Sequence, residues 1–277
     1  METLPTLTRL HNPWMPLPLR VLILIGCVLL LLVGIVLYFF PETAVDYWVW
    51  STKPSKTRLL GAIYLSSLAP MAIATWINRW SPVRLVVSML CVFTIVISVV
   101  SGLNVSQMIP RKATGIWFGL YLAESLGTAY YLWRYRREPP AMTISLSPRW
   151  VSYLRLQAIV LGLYGLGLLI VPTLCTSFWP WEIRAFHGQV YSSIFLAGAT
   201  GTWLLATATS AMELFTLGLT QFLFGSLQII GLIIVSNSFG VVRWSNATTW
   251  LWIGALGWLG LVGVGMMWES WKKRRYK

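Results

Sequence analysis

From Val21 to Phe40 the chain reads VLILIGCVLLLLVGIVLYFF, without one charged side chain. About 20 apolar residues let an α-helix cross a hydrocarbon core of roughly 30 Å. Lipid offers no partners for backbone N–H and C=O groups, and the helix satisfies them internally. Similar stretches, poor in Asp, Glu, Lys and Arg, recur along the sequence. They place spans at 20–40, 59–78, 85–104, 114–133, 152–172, 187–207, 213–235 and 248–268. Hydrophobic residues are 57% of the 277 and charged ones 10%, a balance that a soluble domain of this size could not hide beneath a polar surface. The expected fold class is therefore an all-α membrane protein with eight transmembrane helices.

Prolines mark most span ends: Pro41, the Trp80-Ser81-Pro82 turn, Pro110, Pro139-Pro140 and Pro172. A chain leaving a helix no longer needs the amide donor that proline lacks. The least marked boundary is TATSAMEL between spans six and seven, where one long tilted helix is the alternative. With eight spans, fourteen of the 21 Lys and Arg residues fall on the side that holds both termini, which makes that side cytoplasmic by the positive-inside rule. The formal charge of +13 then points to the anionic inner leaflet of a plasma (inner) membrane as partner, and away from nucleic acid, because the basic residues flank spans. The first apolar run is longer than a signal-peptide core and FFPETAVDYW lacks a small-residue cleavage site, so it reads as a retained anchor. Cys27, Cys91 and Cys175 sit in or beside apolar segments with no metal-ligand spacing, and read as packing residues.

Two segments far apart match each other. Pro41, Trp48 and Trp50 align with Pro172, Trp179 and Trp181 at a shift of 131; Gly61, Tyr64, Ser66-Ser67 and Thr75-Trp76 align with Gly188, Tyr191, Ser192-Ser193 and Thr202-Trp203 at a shift of 127. Asn104 matches Asn237, and Trp133 matches Trp268, each pair followed downstream by a basic run, RYRR or KKRR. The expected organisation is a tandem duplication: a four-helix repeat over 1–138, a cytoplasmic linker over 139–150 and a second four-helix repeat over 151–277. An even number of spans per copy gives both copies one orientation, related by a twofold axis along the membrane normal.

The order Pro41, Trp48, Trp50, Pro54, Arg58, Gly61 and Ala62 resembles that of small uncharacterised bacterial four-helix membrane proteins. There an apolar helix ends in Pro, Trp-Pro-Trp follows, and Pro, Arg and Gly-Ala open the next helix. The second half has Trp179-Pro180-Trp181 and departs from the Pro and Arg spacing after it. The resemblance implies a repeated four-helix module and carries no activity with it.

Several residues stand out as candidates for binding a ligand or partner. Glu124 lies midway along span four, where an ionisable group costs a few kcal/mol, so it is either functional or held by a neighbouring helix through Ser125, Gln221 or Gln228. Gln221 and Gln228, seven residues apart and preceded by Glu213, draw a polar stripe down span seven that faces another helix or lines a path. His187 begins span six beside Glu182 and Arg184, a place for interfacial hydrogen bonding more than for a ligated cofactor, since His11 belongs to the N-terminal tail. Trp48, Trp50, Trp179 and Trp181 read as interface anchors, indoles at headgroup depth with their N–H groups toward water. The sharper alternative is an aromatic cleft with Arg58 and Arg184 as anion partners.

No nucleotide loop, zinc-protease helix, paired-carboxylate site or Ser-His-Asp set is present, and eight acidic residues leave little for hydrolysis or phosphoryl transfer. The expectation is a non-enzymatic binding or scaffold module, with no metal or resident catalytic cofactor, for lipid, a hydrophobic cofactor such as a pigment or quinone, or another membrane protein. The alternative is a small secondary transporter with a path between the repeats.

Overall fold

The computed structural model describes residues 12–138, 140 and 143–275. His11, Arg9 and Lys277 lie outside them, as do parts of the expected linker. Eight long helices make up the bundle: α1 (Leu17–Phe39), α3 (Pro54–Ile77), α4 (Trp80–Leu103), α5 (Lys112–Arg134), α6 (Pro148–Ile170), α8 (Ala185–Thr207), α9 (Ala211–Phe239) and α10 (Ala247–Arg275). Two short helices, α2 (Pro41–Tyr47) and α7 (Pro172–Thr176), follow α1 and α6. Among the described residues seven helices are long and apolar enough to cross a membrane, which makes this an all-helical, multi-pass membrane protein.

The exception is α5. It has the length, but Glu124 and the Trp, Tyr, Thr and Gly residues around it dilute its apolar character, so the expected eighth span does not stand on hydropathy. Pro41 and Pro172 mark span ends as expected, α1 stopping at Phe39 and α6 at Ile170; each also opens a new short helix, since proline suits the first turn, where the missing N–H is an orphan anyway. Helices α8 and α9 are separate. Ala208 to Ser210 are extended, and Ser210 and Glu213 close a capping box, the Ser210 hydroxyl taking the Glu213 N–H (3.2 Å) while Glu213 Oε2 takes the Ser210 N–H (2.7 Å). At this turn β1 (Thr143–Ile144) pairs antiparallel with β2 (Thr209–Ser210), tying the segment before α6 to the α8–α9 connection.

Helix pairing follows a crossed scheme. Within the first half α1 packs on α3 and α4 on α5; within the second α6 packs on α8 and α9 on α10. The halves are joined by α3 on α9 and by α4 on α8, while α3 and α4, or α8 and α9, touch each other little. Trp14 bridges to Arg79 between α3 and α4, and the Ser270 hydroxyl donates to the Ala211 carbonyl at the start of α9 (2.5 Å). Arg84 in turn links α4 to the α8–α9 turn. The described chain ends therefore lie at the same end of the bundle, and the Trp-x-Trp loops lie at the other.

Side chains that face outward are largely apolar, as on α1, where Leu24, Val28 and Leu32 are exposed. The inner contacts use small residues. A Cβ at Gly225 would run into the Leu256 carbonyl oxygen, and Gly218 and Gly263 abut each other's backbones in the same interface, so α9 and α10 touch main chain to main chain. Gly254, on the same helix as Gly263, has open space around it. Gly225→Val is expected to lower stability by about 1–3 kcal/mol through overpacking, read as an earlier thermal transition in detergent, whereas Gly254→Val should leave the transition in place.

Candidate functional site

Helix α5 buries Thr114, Trp117, Tyr121, Glu124, Ser125 and Thr128. Spacings of three and four put them on one face, so the helix turns its polar and aromatic side chains inward and leaves Leu122 and Leu126 exposed. Glu124 is carried into the bundle on this face and is 4% exposed. Opposite it on α1 stands Gly26, where a Cβ would sit 3.1 Å from Glu124 Oε1 and 2.6 Å from the Met71 methyl. Only an absent side chain makes room for the carboxyl. Further toward the chain-terminus end Gly127 takes Leu22 in the same way.

Beyond Glu124 the two helices part. A cavity of about 560 Å³ lies inside the bundle, and every long helix contributes to its wall. Leu29 and Val33 of α1, Leu120 of α5, Phe195 of α8 and Phe224 of α9 make much of it apolar. Leu32 and Val36 of α1 and Ile116 of α5 line the cavity and are also exposed on the outer surface, at 57%, 44% and 66%. The cavity thus opens sideways between α1 and α5, through an apolar slot facing what would be lipid.

Most polar groups on the wall are already engaged. The Tyr64 and Tyr121 hydroxyls are 3.3 Å apart, Ser66 Oγ donates to the Ile63 carbonyl (2.9 Å), and Thr220 Oγ1 donates to the Thr216 carbonyl (2.8 Å). Two are not. The Glu124 carboxyl has no hydrogen-bond partner among the described residues, and the buried Oε1 of Gln221 has none either. Among the described residues no lysine, arginine or histidine lines the cavity. Glu124 stands ten residues before Arg134 at the end of α5, and Gln221 ten residues after Ala211 at the start of α9. At 1.5 Å per residue both lie about 15 Å from the same end of the bundle, near the middle of a ~30 Å hydrocarbon layer.

The other expected site residues lie elsewhere. Gln228 Nε2 donates to the Leu59 carbonyl (2.9 Å), so it joins α9 to α3. Glu213, read as the head of a polar stripe, accepts from Arg84 Nε at 2.8 Å, while the same guanidinium donates to the Ala208 carbonyl at 2.5 Å. The stripe is three separate devices. His187 is 7% exposed, its ring set between Trp50 and Phe186 and its Nδ1 unpartnered. Lys56 and Arg184 lie within electrostatic reach of it, and Arg58 is half-buried nearby on α3 with its Nε unpartnered. None of His187, Arg58 and Arg184 lines the cavity.

The tryptophans depart from the expectation of rings standing at headgroup depth with wet N–H groups. Trp48 and Trp50 are buried, 8% and 4% exposed, in a core cluster with Trp117 and Phe186. Trp48 Nε1 is enclosed among the Trp50, Trp117 and Tyr64 rings, all edge-on to it, and has no partner. Trp179 and Trp181 are half-buried, and Trp179 Nε1 donates to the Tyr164 hydroxyl (2.6 Å). Each Trp-x-Trp pair is perpendicular, at 86° and 90°. In both, the first indole contacts the tyrosine aligned with it, Tyr64 or Tyr191.

Sequence reading passed over Gly26, Tyr121 and Arg84. Tyr121 was within reach, three residues before Glu124 on the same helix face; Gly26 and Arg84 depend on which helices meet. No protein-family model matches this chain, and neither does any curated protein or solved structure. Arg84→Met is expected to destabilise the fold by about 3–5 kcal/mol, because it strands the buried Glu213 charge. Adding Glu213→Gln, which still closes the capping box, should restore much of the loss in the same melting assay.

Proposed function

We propose that this protein is a non-enzymatic membrane module that takes up a hydrophobic molecule from the bilayer into its central cavity. The observation that carries the reading is the sideways opening: Leu32, Val36 and Ile116 belong at once to the outer surface and to the cavity wall. An apolar molecule dissolved in the hydrocarbon reaches such a cavity without crossing water, and its transfer from lipid to protein gains contacts along a mostly apolar wall. Two polar groups without protein partners, Glu124 and Gln221, give that ligand a place to orient.

The wider reading is a bundle of eight crossings, α5 included, in two repeats of like orientation. Several facts support it. Helix α6 begins and ends 131 residues after α1, and Pro41 and Pro172 open α2 and α7 at the same interval. The crossed pairings α3 on α9 and α4 on α8 exchange under a twofold operation. Both chain ends fall at one end of the bundle, where Arg79, Arg84, Arg134, Arg136, Arg149 and Lys272 also fall, and the charge rule makes that end cytoplasmic. A transport reading uses the same cavity: the unpartnered Glu124 carboxyl favours it, and flux of the bound molecule across vesicles separates it from simple binding.

Val36→Trp, at the exposed mouth, is expected to slow entry of an apolar fluorescent probe into detergent-purified protein about tenfold, equivalent to ~1.4 kcal/mol, with the melting temperature unchanged. Single cysteines at Asn12 and at Ser236, near the two ends of the bundle, should label from opposite sides of sealed inverted vesicles, the first from outside the inverted membrane.

A further inference from the structure

The cavity's polar groups select for one kind of headgroup. We infer that the ligand is a hydrophobic amine, bound with its ammonium group at Glu124 and its apolar body along the wall toward the slot; this rests on the uptake reading above. Among the described residues the cavity wall carries one carboxyl, that of Glu124, which has no protein partner, and no cationic side chain. A carboxylate at this depth is costly alone, and a matching ammonium both offsets its charge and supplies N–H donors for both oxygens. An anionic lipid headgroup meets the wrong sign here, and a neutral quinone leaves the carboxylate's charge unmatched.

Gly26 fixes the carboxyl's position from the α1 side, at the point where α1 and α5 part. A ligand sliding in through the slot meets Glu124 at its inner limit.

The test is native mass spectrometry of the detergent-purified chain titrated with dodecylamine, dodecanol and dodecanoate. Dodecylamine is expected to bind about tenfold tighter than dodecanol, and dodecanoate more weakly than either. Glu124→Gln, close in shape, should erase the preference while dodecanol still binds. Equal affinity for amine and alcohol, tighter dodecanoate, or an amine preference that survives in Glu124→Gln overturns the inference and leaves the uptake reading standing. If none of the three binds the unaltered protein, the uptake reading itself falls.

Discussion

Helices α1 and α5 touch at Gly26 and Glu124 and then separate, and the central cavity depends on that parting. What holds the rest of the bundle while they stand apart is the pair of crossed contacts, α3 on α9 and α4 on α8. A bundle in which each half packed only on itself would bury its inner faces within four helices. Here the inner helix of each half leans on the other half, and the outer helices α1, α5, α6 and α10 are left to frame the edges. The void sits where no pair of helices can close on both neighbours at once.

Polar groups inside the bundle sort by whether the protein answers them. In hydrocarbon an unanswered N–H or C=O costs several kcal/mol, so paired groups dominate. Gln228 answers the Leu59 carbonyl, Arg84 answers both Glu213 and the Ala208 carbonyl, and Ser210 with Glu213 answers the first turn of α9. These lie in helix interfaces or at a helix start. Glu124 and Gln221 differ in that the space beside them is cavity. The contrast, more than the presence of a charge at mid-depth, is what makes them candidates for a ligand.

Much of this was legible in the one-dimensional pattern. The long apolar stretches located the helices to within a few residues, and the alignment of Trp48 and Tyr64 with Trp179 and Tyr191 is matched by a ring contact in each pair. Glu124 was picked out because an ionisable group at that depth is costly, and Gln221 as part of a stripe with Gln228 and Glu213. What escaped was set by inter-helix approach. Hydropathy cannot say that Gly26 faces Glu124, that Arg84 reaches Glu213 over 129 residues of sequence, or that Trp48 points inward. The break between α8 and α9 was expected, with one long helix as the alternative, and the Ser210-Ala-Met-Glu213 capping box is the local signal that decides it.

Helices α9 and α10 each run for 29 residues, against 23 for α1 and α6. At 1.5 Å per residue the longer pair measures about 43 Å, well beyond the hydrocarbon thickness, and the shorter pair about 34 Å. One flank of the molecule is therefore taller than the other. Lipid bordering α9 and α10 must stretch its chains, or those helices must lean, while lipid bordering α1 rests close to its natural thickness. The slot beside α1 opens onto the relaxed side of this uneven collar.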